Sequence, residues 1–166
     1  MIFIIKIDIM NSEYGLKNEK RDYILLKEFN EKVLKLNKLG QTPKHHHSDA
    51  SGLTKSGTYI NLELKHRNIN INTYPTMYLE SHKAADMLLD YVTLDYVPLY
   101  VNFLNDGHVV VFNLAKLKHR PKTVCKYIKS ELYEGFELAK RQELDMRDAF
   151  IYKLENNEYK LIQRPS

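Results

Sequence analysis

The chain has 166 residues, of which 43% are hydrophobic and 28% charged; that suits one domain with one core and excludes global disorder. A single cysteine excludes an internal disulfide, so a reducing, cytoplasmic setting is expected. The formal charge of +4 and a pI near 9.0 lean toward a polyanionic partner.

The opening MIFIIKIDIM is apolar but short, and Lys6 and Asp8 interrupt it. It is too short to span a bilayer and is read as an N-terminal strand. Residues 19–39 are predicted as a helix, because Leu25, Leu26, Phe29, Val33, Leu36 and Leu39 recur at three-to-four spacing; Gly40 and Pro43 end it. A hairpin follows, with strands over 46–53 and 58–67 around the turn Thr54-Lys55-Ser56-Gly57. In its second strand Ile60, Leu62 and Leu64 alternate with Asn61, Glu63 and Lys65, so Glu63 and Lys65 share a face.

Past the irregular stretch 68–75, a second helix is predicted over 76–92, followed by strands over 98–104 and 109–114 joined at Asn105-Asp106-Gly107. A basic run follows: Lys116, Lys118, His119, Arg120 and Lys122. A short helix is expected near 122–130, with Cys125 as an inert, buried thiol. Residues 131–147 carry no clear pattern, and a terminal hairpin is expected over 148–154 and 159–162. The fold class expected is α/β, a mixed sheet flanked by helices.

The chemistry concentrates at Asp49 and Glu63. A tight hairpin sets these positions side by side, so that two carboxylates and a backbone carbonyl offer oxygen ligands to Mg²⁺ or Mn²⁺. Lys65, on the face of Glu63, would bring a cation to the same pocket. Phosphodiester hydrolysis requires a metal to polarise phosphate and activate water, and a positive group at the developing charge.

Asp49 followed by Glu63-Leu64-Lys65 on the next strand resembles the PD-(D/E)xK nuclease signature, and the flanking helices match that superfamily's restriction-endonuclease-like αβββαβ core over about residues 19–114; 115–166 is an extension of the same single domain. Ser48 stands where the signature has Pro. The resemblance implies a metal-dependent DNA endonuclease, with resolvase-like action on branched DNA among the activities it covers. It makes Asp49 and Glu63 metal ligands, Lys65 the catalytic lysine and the Leu64 carbonyl a further ligand, with Glu28 a candidate extra carboxylate.

Nucleic acid would meet His47, His66, Arg67 and Lys83 near the site, and Lys118, Arg120 and Lys122 in the basic run. Glu80, His82 and Lys83 open the second helix and should face the same cleft. A homodimer would suit a two-fold substrate, and a phage or mobile-element origin would fit a stand-alone nuclease. The alternative is a non-catalytic nucleic-acid- or protein-binding module on the same fold. Adjacent histidines at 45–47 alternate sides on a strand, and without a Cys pair or HExxH they do not make a zinc site.

Overall fold

The computed structural model describes residues 17–43, 46–129 and 136–166. The expected strand at 1–10 lies outside them, as does His45. Helix α1 covers residues 17–29 and continues as a π turn over Asn30–Leu34. The strands are β1 (Asn37–Gln41), β2 (Ala50–Leu53), β3 (Tyr59–Arg67) and β4 (Thr76–Glu80); helix α2 is Ser81–Leu94. Then come β5 (Val97–Leu104), β6 (His108–Asn113), β7 (Lys122–Lys129), β8 (Phe136–Asp145), β9 (Ala149–Glu155) and β10 (Glu158–Gln163).

Among the described residues, seven strands form a mixed sheet in the order β1-β2-β3-β5-β6-β9-β10, and β4-β8-β7 form a second, three-stranded sheet. Within the large sheet β3 and β5 run parallel and their neighbours antiparallel. The parallel pair needs a crossover, and β4 with α2 supplies it.

Period-two alternation divides the apolar residues between the two faces of the large sheet. On one face Ile60, Leu62, Leu64, Val101 and Val111 pack with Leu26 and Phe29 of α1. On the other, Tyr100, Val110, Phe112 and Ile151 pack with Met77 and Leu79 of β4, Ala84 and Met87 of α2, and Leu144 of β8. The sheet is therefore covered by α1 on one side and by α2 with the small sheet on the other.

Four expectations are corrected. The first helix stops at Leu34, because Lys35 turns left-handed at φ 55° and the Asn30 side chain takes both the N–H of Leu36 (2.8 Å) and, through its amide, the carbonyl of Leu36 (3.1 Å). Leu39 and Gly40 thereby fall in β1. Residues 76–80 are a strand, with Met77 and Leu79 buried and Thr76, Tyr78 and Glu80 turned the other way; the helix begins only at Ser81. Residues 122–129 are a strand whose partner is β8, inside the stretch that carried no pattern. Cys125 is exposed, on the edge strand of the small sheet. The C-terminal extension completes the fold, because β9 pairs with β6 and β10 with β9.

Candidate active site

Glu63 sits midway along β3 on the α2-facing side, with none of its surface in water. Its Oε1 lies 2.6 Å from Lys83 Nζ and 3.3 Å from Lys65 Nζ, whereas its Oε2 is buried and has no partner among the described residues. Burial pushes the Glu63 carboxyl up to about 7, and nearby Asp49 adds to the rise, against the pull of Lys65 and Lys83. Lys65, two residues on, keeps 35% of its side chain exposed. Burial works against its charge, but Glu63, Glu80 and Asp49 together hold its ammonium above the usual lysine range.

Asp49 lies where the chain enters β2. Regular β2–β3 pairing ends at Ala50 opposite Leu62. Beyond it the Asp49 N–H donates to the Leu62 carbonyl (2.9 Å), and the Leu64 N–H donates to Asp49 Oδ2 (2.7 Å). Asp49 thus uses one carboxylate oxygen to cap the uncovered edge of β3. In a strand a residue's N–H and C=O point toward the same neighbour, so the Leu64 carbonyl also faces this edge.

Ser48 is buried, and both its N–H (3.2 Å) and its hydroxyl (2.9 Å) meet Nδ1 of His46. A proline here would lose the first of these contacts.

The opposite wall is built by β4 and α2. Glu80 ends β4 with Oε1 at 4.0 Å from Lys65 Nζ and 3.9 Å from Arg141 of β8, and its Oε2 is buried without a partner among the described residues. Although burial opposes it, the charges of Lys65, Lys83 and Arg141 hold the Glu80 carboxyl below its ordinary range. Lys83 in the first turn of α2 completes a cluster of three carboxylates and three cations.

The floor is a polar lattice. Arg67 donates to Asn102 Oδ1 (2.9 Å), to the Tyr78 carbonyl (2.5 Å) and to the Tyr100 hydroxyl (2.5 Å), and Tyr100 donates to the same Tyr78 carbonyl (2.7 Å). This ties β3, β5 and β4 together at Arg67, two residues along β3 from Lys65.

The structure thus gathers Asp49, Glu63, Lys65 and Lys83, with the Leu64 backbone at their edge. His47 stands near, its Nε2 2.6 Å from Asp90 Oδ2 on α2; Asn61 of β3 donates to the same oxygen at 2.8 Å. Arg67 faces the site, but its guanidinium is engaged in the floor.

Two candidates do not join the cluster. His66 alternates to the opposite face of β3, where it lines a separate cavity of about 180 Å³ with Glu28, Leu25 and Phe103. Glu28 pairs instead with Lys32 at 2.8 Å. Lys118, Arg120 and Lys122 are exposed between β6 and the start of β7. Among the described residues no three His, Cys, Asp or Glu side chains converge as a ready metal cluster.

Glu80 and Arg141 gain their places from β4 and β8. Period-two alternation over Thr76–Glu80 is the signal that locates Glu80; Arg141 is fixed by a strand pairing that is not local.

No protein-family model matches the chain, and no curated protein matches it. Among solved structures it is similar to Hjc, a Holliday junction resolvase from the archaeal hyperthermophile Archaeoglobus fulgidus. The TM-score is 0.50 and the identity 14%, over 78% of this chain and 84% of that one. The likeness establishes the fold: a restriction-endonuclease-like mixed sheet flanked by helices.

Proposed function

We propose that this chain is a Mg²⁺- or Mn²⁺-dependent DNA nuclease, resolvase-like in acting on branched DNA, in which Asp49 and Glu63 hold the metal and Lys65 serves the scissile phosphate. One observation carries the reading: Glu63, wholly buried and near Asp49, engages the ammonium of Lys65 through one carboxylate oxygen (3.3 Å) while its other oxygen has no partner among the described residues. Burying a charge and leaving part of it unsatisfied is costly, and such groups gather at functional sites.

The donor set fits a hard divalent cation. The free Glu63 oxygen, the second Asp49 oxygen and the Leu64 carbonyl would offer it three oxygen donors. When bound, the metal supplies Lewis-acid polarisation of the phosphodiester and a lowered pKa for its water.

The rest falls to the chain's own side chains. Lys65 is held protonated by its three carboxylate neighbours, so it acts as a cation and hydrogen-bond donor to the charge that grows on the phosphate, rather than as a base. Lys83 adds positive charge from the other wall, and it must share Glu63 with whatever else that carboxylate binds. The Arg67 lattice fixes the strands so that these groups need not reorganise. His47, oriented by Asp90, is placed to touch the substrate near Asp49. A homodimer would present two such centres to a two-fold junction.

The test is a cleavage panel of linear duplex, single-stranded and four-way-junction DNA, in Mn²⁺ or in EDTA. The proposal expects cutting in Mn²⁺ only, strongest on the junction, and a fall of at least about 100-fold in Lys65→Ala. Failure to cut any substrate, with DNA bound equally well by wild type and Lys65→Ala, would leave a binding module in place of an enzyme.

A further inference from the structure

The small sheet changes width beside the candidate site. Strands β7 and β8 pair from Lys122 opposite Glu143 to Lys129 opposite Phe136. Strand β4 covers only Arg141–Asp145 of β8. From Lys140 to Phe136, β8 therefore has β7 on one edge and no other strand among the described residues on the other. The sheet narrows to a two-stranded ribbon where β4 stops, and β4 stops at Glu80, whose carboxylate lies 4.0 Å from Lys65 and 3.9 Å from Arg141. The ribbon leaves the fold at the rim of the carboxylate–lysine cluster.

Alternation then assigns its faces. The face that buries Met77, Leu79 and Leu144 also carries Gln142, whose amide reaches Ser81 Oγ at the start of α2 (3.2 Å) and Thr123 (3.1 Å). Continuing along that face, β8 presents Lys140 and Leu138, directly opposite Cys125 and Tyr127 on β7. Tyr127 is 76% exposed and Leu138 59%. A ribbon with no core beneath it is poorly stable alone, and its free edge is a hazard unless it has a use.

Its chemistry indicates the occupant. The two strands carry Lys122, Lys126, Lys129, Lys140 and Arg141. Against these five cations stand three acids, Glu137, Glu143 and Asp145; Glu143 accepts from Thr76, and Asp145 is paired with Arg147. That balance is complementary to a polyanion, and an exposed tyrosine beside lysines is the combination that tracks a nucleic-acid strand by charge and stacking.

We propose that the β7–β8 ribbon is a DNA-binding arm, which lays Tyr127 and Lys140 along the strand leading away from the scissile phosphate. Phe136 to Lys140 spans roughly 13 Å at the strand rise, about four nucleotide steps of one strand along a duplex axis. The arm rests on the nuclease reading for its substrate.

Cys125, exposed and the chain's only cysteine, reports on this face. In EDTA, the rate at which a maleimide alkylates Cys125 would be measured with and without a four-way junction, together with the salt dependence of junction binding by wild type, Lys140→Glu and Tyr127→Ala. The arm predicts alkylation slowed at least about tenfold by DNA and binding weakened about tenfold in each variant. It also predicts a salt slope lower by about one in Lys140→Glu, with melting temperatures unchanged. Tight binding with Cys125 still fully reactive, and with both variants binding as wild type, overturns the arm and leaves the nuclease reading intact. A protein that binds no DNA overturns both. Protection that grows with protein concentration in the absence of DNA assigns the face to a second copy of the chain, and so also overturns the arm.

Discussion

Glu63 has no surface in water, and its carboxyl is pushed up to about 7 from an ordinary 4.5 by burial. The consequence for stability has a definite sign. A carboxyl whose folded pKa lies above its unfolded value binds the proton more tightly when folded, so stability falls as pH rises between the two values and is level on either side. Metal-free protein is therefore expected to be more stable at pH 4.5 than at pH 8 by about 3 kcal/mol from this group alone. Glu63→Gln should remove that slope and melt higher than wild type at pH 8. Thermal melts in EDTA across this range check it; an unchanged slope in Glu63→Gln would show that the carboxylate is not held this way.

That Glu63 and Lys65 are neighbours was legible because period two fixes which residues of one strand share a face. The same rule should have separated His66 from Glu63 and Lys65, and it places His66 with Glu28 on the far side. Glu80 was suspected only as a helix-opening residue; its neighbour Arg141 and the pairing of Asp90 with His47 and Asn61 depend on contacts between distant segments, which no local pattern encodes.

Among the elements, β2 is the strand that delivers Asp49, and its seat is tight. A Cβ added at Gly52 would lie 3.0 Å from Leu36 Cδ1 and 3.2 Å from Leu36 Cβ. Gly52→Ala is therefore expected to destabilise the fold by about 1–3 kcal/mol through overpacking against the residue that follows α1. Urea denaturation measures it, and a neutral substitution would mean that Leu36 gives way freely.

The hairpins β2–β3, β5–β6 and β9–β10 were readable from turn residues flanked by alternating apolar ones. Strands β4 and β7 were not. Leu79, Ala84 and Met87 read as one helical stripe running through 76–92, although Met77 and Leu79 alternate as a strand; the small sheet, formed with β8 from a distant part of the chain, decides the matter. Val124 and Ile128 are likewise four apart, a spacing compatible with either structure. The end of α1 was misplaced because Leu36 and Leu39 keep the helical interval after Lys35 has already turned left-handed.

In the whole molecule, the parallel β3–β5 pair at the middle of the mixed sheet carries the carboxylate–lysine cluster, and the crossover through β4 and α2 supplies its other wall. The C-terminal extension, whose purpose the sequence did not disclose, adds two strands to the large sheet and two to the small one. Its basic ribbon fits the modest positive charge of the chain. No helix among the described residues is long and apolar enough to cross a membrane.

The measurement that tests the account most directly is Mn²⁺ binding by calorimetry on wild type, Asp49→Asn, Glu63→Gln and Lys65→Ala, followed by junction cleavage with the same samples. The account predicts that Asp49→Asn and Glu63→Gln each weaken Mn²⁺ binding by at least about tenfold, and that Lys65→Ala keeps the metal but does not cut. Wild-type Mn²⁺ affinity in both carboxylate variants, with cleavage intact, would contradict it.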